Sequence, residues 1–149
     1  MRLSDYLDAS LIVFLDEKKR DKAILKMVAV ADTAGFLPDR QEFHKAILDR
    51  EKIVSTGIGM GVALPHAKHD AFSKFFIILG IQKKQGIEWN SLDGAPVRLV
   101  FMIGGPSERK GEYLKLLSLI TKTVKSEEVR KQILQRGSSL DVLALLQNY

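Results

Sequence analysis

The sequence predicts an α/β fold: a single-domain sandwich in which a mixed sheet is covered by helices on both faces. Three observations carry this. Apolar residues recur at helical spacing near both ends of the chain, at Ala23, Ile24, Met27, Val28 and Ala31 and again at Leu116, Leu117, Ile120 and Val124. Between them lie unbroken apolar runs, Phe75–Ile81 and Leu99–Ile103, of the kind seen in strands buried on both faces. The length of 149 residues suits one domain, since domains usually run ~100–200 residues.

The first helix is expected over residues 18–34, where strong helix formers dominate and Gly35 provides a stop. Asp39 stands three residues before Glu42, a capping-box-like start for a short helix over Arg40–Leu48 with Phe43, Ala46 and Ile47 on its apolar face. From Ile53 to Pro65 the character changes. Gly57, Gly59 and Gly61 alternate with other residues and exclude a helix interior, and Val62-Ala63-Leu64 offers a short extended piece leading to Pro65-His66. Strands are expected at Phe75–Ile81, Gly86–Trp89 and Val97–Ile103, with a turn at Asp93-Gly94 between the last two. Three helices close the chain: Glu112–Lys125, then Glu127–Gln135 capped by Ser126, then Asp141–Gln147 capped by Ser139. Helices come first, strands in the middle and helices last, with no repeat, low-complexity tract or linker.

Composition removes several classes of function. Hydrophobic residues at 46% and charged residues at 28% are globular proportions, not those of a disordered chain. With no cysteine, thiol nucleophiles, disulfides and thiolate metal sites are excluded. The apolar runs fall far short of the ~20 residues of a spanning helix, and the N-terminus lacks an export signal, so a cytoplasmic protein without membrane insertion is expected. The net charge of +5 is spread over small groups such as Lys18-Lys19-Arg20 and Arg130-Lys131. These are read as solvated faces rather than a nucleic-acid arm.

The chemistry concentrates between Asp49 and Lys68. His66 is a nucleophile usable at neutral pH, because an ordinary imidazole pKa of ~6.5 leaves much of it uncharged. The glycine-rich approach can turn backbone N–H groups toward an anion. Arg50, Ser55, Thr56 and Lys68 are cationic or hydroxyl donors suited to phosphate oxygens. Pro65 stiffens the backbone before the imidazole. Neither the Walker nor the dinucleotide-binding glycine spacing is met, because the glycines are evenly two apart. His66-x-x-His69 lacks a third ligand and is not read as a zinc site. His44 is expected in solvent and Trp89 half-buried on a strand.

The string Arg50-Glu51, Thr56-Gly57-Ile58-Gly59, Gly61, Pro65-His66 and Ala67-Lys68 resembles the signature of the EIIA component of the phosphoenolpyruvate-dependent phosphotransferase system, of the fructose–mannitol type. The likeness extends over residues 1–149 as one such domain, through Ile87–Val97 and Leu114–Ile120, and is strongest to the stand-alone, nitrogen-regulatory branch. The resemblance implies a phosphoryl carrier. His66 would accept the group, on Nε2, from an HPr-like carrier protein or its nitrogen-branch counterpart, with Arg50, Ser55 and Thr56 binding phosphoryl oxygens. No metal or cofactor is needed, because the leaving group is already an activated imidazole.

One position departs from the pattern. The family commonly carries a second histidine where this chain has Tyr113, which can donate a hydrogen bond or pack but cannot supply an imidazolium. Two roles follow: a mainly regulatory one, in which phosphorylation changes which target protein docks, or onward transfer to the cysteine of an EIIB domain for sugar uptake. The stand-alone layout and Tyr113 favour regulation. A basic binding module without phosphorylation is the bland alternative, and it leaves the motif unexplained.

Overall fold

The computed structural model describes residues Met1–Tyr149. A six-stranded mixed sheet forms the centre. Two short 3-10 helices, Leu3–Tyr6 and Ala9–Leu11, precede strand β1 (Ile12–Phe14), which is followed by helices α1 (Arg20–Thr33) and α2 (Arg40–Ile53). Three very short strands come next: β2 (Gly57–Gly59), β3 (Val62–Ala63) and β4 (His66–Lys68). The long strands β5 (Phe76–Ile81) and β6 (Leu99–Gly105) precede helices α3 (Lys110–Val124), α4 (Glu127–Gln135) and α5 (Ser139–Leu146).

The sheet runs β1-β5-β6-β3-β2. β5 and β6 are antiparallel, with Ile78 opposite Met102, while β1 is parallel to β5. β3 and β4 both run parallel to β6, at Leu99–Val100 and at Ile103–Gly105 respectively. They are two pieces of one strand, interrupted at Leu64-Pro65.

Every residue of β5 and β6 is buried, which explains their unbroken apolar runs. Alternate side chains feed two cores. One contains Ile77, Leu79, Phe101 and Ile103 with Leu116, Ile120, Ile133 and Val142 from α3–α5. The other contains Ile78, Val100 and Met102 with Ile24, Met27, Phe43 and Ile47 from α1 and α2. The expected sandwich, helices on both faces, is therefore the observed one. No helix is long and apolar enough to cross a membrane.

Several expectations need correction. β1 precedes the first α-helix; its three residues are recognisable only through parallel pairing to β5. α2 continues past Leu48 to Ile53. Its buried face runs Phe43, Ile47, Glu51 at steps of four, and the polar third member disguised the continuation. Gly86–Trp89 is not a strand but contributes isolated bridges, Lys19 to Glu88 and Ile87 to Val97. Trp89 is 1% exposed, fully buried rather than half-buried. The final helix is capped by Ser138, whose Oγ accepts from Asp141 N at 3.1 Å, while the Ser139 hydroxyl donates to Ile12 O. The expected caps Asp39, accepting from Glu42 N, and Ser126, accepting from Val129 N, are present.

Candidate active site

β4 positions His66. Its three residues sit on β6 through Ile103, Gly104 and Gly105, with Pro65 O accepting from Ile103 N at 2.9 Å. Strand alternation turns His66 and Lys68 to one side, both half-buried, and buries Ala67 on the other against the α1–α2 core. The approach is a tight turn. Gly59 and Gly61 take φ of +93° and +73°, and Met60 between them is also left-handed at +61°. That region favours glycine and explains two of the three alternating glycines.

The His66 ring is oriented by one contact: Nδ1 lies 3.1 Å from Leu64 O. A carbonyl only accepts, so Nδ1 carries the proton and Nε2 is left with its lone pair. Burial lowers the proton affinity of His66, the Leu64 contact partly opposes this, and the positive charges of Arg50 and Lys68 lower it further, against a smaller opposing effect of Glu51. At neutral pH the imidazole is neutral, with Nε2 as a free nucleophile.

Arg50, in the last turn of α2, donates from Nη1 to Val54 O at 3.0 Å and pairs with neither Asp49 nor Glu51. Its field reaches both His66 and Tyr113. Burial raises the Tyr113 phenol, with a lesser opposing pull from Arg50, so it stays protonated. Tyr113 lies on the buried side of α3 with its ring 5.6 Å from the His66 ring and stacked 6.0 Å from Phe75. The Lys68 ammonium stands 3.8 Å over the Tyr113 ring.

The two hydroxyls are arranged differently. Thr56 is buried; its N–H donates to Glu51 Oε2 at 2.7 Å and its hydroxyl to Glu51 Oε1. Glu51, 3% exposed, is thereby satisfied, and the single O–H of Thr56 is spent on it. Ser55 Oγ donates to Trp89 O at 3.3 Å and accepts from Gly57 N at 3.1 Å. It lines a 590 Å³ cleft with Lys52, Asn90 and Leu92, which His66 does not line. The open cradle of backbone N–H groups suggested by the glycines is not there at four positions. Thr56, Gly57, Met60 and Leu64 N–H go to Glu51, Ser55, Asp93 and Thr56 O.

The structure thus gathers His66, Arg50, Lys68 and Tyr113, and turns Ser55 and Thr56 inward. Glu51 received no role from the sequence; its i+4 step from Ile47 was the available signal. His69 Nε2 binds Glu42 Oε1 at 2.7 Å and its Nδ1 accepts from Ala71 N, so both nitrogens are occupied. His44 is half-buried rather than in solvent.

The family model described as phosphoenolpyruvate-dependent sugar phosphotransferase system, EIIA 2 matches residues 5–149. The chain is 38% identical over 135 residues to a fructose-specific EIIABC component of Bacillus subtilis (strain 168), covering 91% of this chain but only 21% of that protein. It is 33% identical to a fructose-specific EIIA component of Haloferax volcanii, covering 91% of this chain and 88% of the relative. Identity to a nitrogen regulatory protein of Escherichia coli (strain K12) is 31%, over 81% and 72% of the two. Among solved structures, nitrogen regulatory protein IIA-Ntr from Neisseria meningitidis superposes with a TM-score of 0.87 at 24% identity, covering 97% and 98% of the two chains. The IIA-mannitol chain in a complex with phosphorylated IIB-mannitol from Escherichia coli has a TM-score of 0.77 at 24% identity, covering 96% and 98%. The chain belongs to the EIIA 2 family of the phosphoenolpyruvate-dependent sugar phosphotransferase system, a family of phosphoryl-transfer components.

Proposed function

We propose that this chain is a phosphoryl carrier in which Nε2 of His66 accepts the group from a phosphohistidine on an HPr-like protein. One observation carries the reading above the others: the Nδ1–H contact to Leu64 O leaves Nε2 as the free lone pair on a neutral, half-buried ring. Nε2 attacks phosphorus, the donor's N–P bond breaks as the new one forms, and the donor imidazole takes the electron pair. The acceptor ring keeps its Nδ1 proton. Its growing positive charge is stabilised through Leu64 O.

Such a loose transition state requires position and charge stabilisation rather than further covalent help. Arg50 has one N–H engaged with Val54 O and the rest of its fork available for phosphoryl oxygens. Thr56 serves here as a positioning residue: with Glu51 it ties the end of α2 to the segment that leads to His66. Ser55 does the same at Gly57 and Trp89.

For the next step, an EIIB cysteine is the acceptor we favour. The sequence layout pointed to regulation, but the fructose-specific EIIA component of Haloferax volcanii is 88% covered by this chain, so layout does not discriminate. The complex containing phosphorylated IIB-mannitol gives a precedent for an EIIA–EIIB pair. Control of a target protein by the phosphorylation state is the second reading, favoured by the identity to nitrogen regulatory proteins.

The test is incubation with phosphoenolpyruvate, enzyme I and HPr, followed by mass spectrometry. One acid-labile phosphoryl group is expected on the parent and none on His66→Ala; label surviving that substitution would overturn the assignment. Adding an EIIB domain to the labelled protein then separates onward transfer from retention.

A further inference from the structure

We propose that Lys68 is the cation that meets the phosphoryl group on His66, and that the Tyr113 ring is the seat that holds it ready. This rests on His66 being the acceptor. Strand alternation places His66 and Lys68 on the same side of β4, two residues apart. The Lys68 ammonium lies 3.8 Å from the centre of the Tyr113 ring, and that ring lies 5.6 Å from the imidazole. Tyr113 is held in place by its stack on Phe75 and by burial on α3.

Lys68 forms no ion pair with a carboxylate, and the glutamates of this region are engaged elsewhere. Glu42, which shares a 190 Å³ pocket with Lys68, is bound to His69. Glu112, the neighbour of Tyr113, takes the Tyr6 hydroxyl and lies 3.7 Å from Arg109. Glu51 is occupied by Thr56. The ammonium is left with an aromatic face, which attracts a cation through its quadrupole but does not neutralise it.

Phosphorylation reverses that balance. A dianionic phosphoryl group on Nε2 offers the ammonium a full opposite charge in a half-buried setting, where Coulomb attraction is stronger than in bulk water. The four-carbon stem lets the compact ammonium swing from ring to oxygen. Lys68 keeps its three protons throughout, and only its contact changes. Arg50 comes from α2 and Lys68 from β4, and the positive charges of both act on His66. Because the lysine faces a neutral ring in the resting protein, its anionic contact exists only while the phosphoryl group is present. That is the condition for aiding transfer rather than resting binding.

The experiment uses the full chain with phosphoenolpyruvate, enzyme I and HPr, comparing Lys68→Met, Lys68→Arg and Tyr113→Leu. Lys68→Met keeps the stem and removes the charge. It should cut the phosphorylation rate and the lifetime of phospho-His66 on the order of tenfold, and Lys68→Arg should recover most of both. NMR titration of His66 adds a readout that a packing role would not move: its pKa should rise in Lys68→Met. Tyr113→Leu should give a partial loss, and Lys68→Met/Tyr113→Leu should be no worse than Lys68→Met alone. Parental kinetics in Lys68→Met, failure of Lys68→Arg to recover them, or an unmoved His66 pKa would overturn the role of Lys68. Additive losses in the double variant, or parental behaviour of Tyr113→Leu, would overturn the seat. If His66→Ala stays unlabelled while Lys68→Met behaves as the parent, this inference fails and the carrier reading stands.

Discussion

The first residue of β4 and the residue just past its end are histidines three positions apart, and the structure treats them in opposite ways. His66 is half-buried with one nitrogen fixed by Leu64 O and the other unpaired, beneath the charges of Arg50 and Lys68. His69 lies at the rim with one nitrogen accepting from Ala71 N and the other bound to Glu42. The residue type is the same. The difference is whether a lone pair is left over, and whether the surrounding charge is cationic. On the proposed reading, what suits His66 rather than His69 to accept a phosphoryl group is the lone pair its neighbours leave unused.

This contrast can be broken in a graded way. The largest effect is expected from His66→Ala, which should abolish labelling, while His69→Ala should label within about twofold of the parent, since no contact links it to the reacting atom. Next comes Arg50→Ala, expected to slow acceptance on the order of 100-fold, the usual cost of losing one charge-stabilising donor; initial labelling rates report it.

The pH dependence follows. Because burial lowers the pKa of His66, the half-point of the acceptance rate should lie below pH 6.5, with the rate falling as the ring takes up its proton. The sign for stability is the same. As pH falls below ~6.5 the unfolded chain binds the proton first, so the contribution of His66 to stability is present above that pH and is lost down to the folded pKa. A half-point at or above 6.5 for the free protein would contradict the neutral-ring account.

A smaller effect is expected from Thr56→Val. It leaves one oxygen of the buried Glu51 without its hydroxyl donor and should cost about 1–3 kcal/mol in denaturant unfolding. Smallest is Glu42→Gln, which weakens an exposed contact of His69 worth about 0–1 kcal/mol and should leave labelling unchanged.

Much of this was legible in the sequence where local pattern dictates structure. The buried face of α1 is the set Ala23, Ile24, Met27, Val28 and Ala31 read from spacing. The apolar runs of β5 and β6 were read as buried strands, differing by a residue or two at their ends. What was not legible depends on contacts distant in the chain. β1 exists because β5 is beside it. Trp89 is buried by the fold rather than by its own segment. At the site, the motif singles out His66 with Arg50, Ser55 and Thr56 as phosphoryl-binding residues. Only the structure shows Thr56 donating inward to Glu51 and Ser55 to Trp89. Likewise, no spacing rule joins Lys68 to Tyr113, 45 residues later by number (113 − 68).

The most direct test of the central claim is NMR of the histidine ring nitrogens before and after phosphorylation by phosphoenolpyruvate, enzyme I and HPr. The account predicts that resting His66 carries its proton on Nδ1, that phosphorus–nitrogen coupling then appears at Nε2 of His66, and that His69 is unchanged. A resting proton on Nε2, or phosphorus bonded to Nδ1 of His66 or to His69, would contradict it.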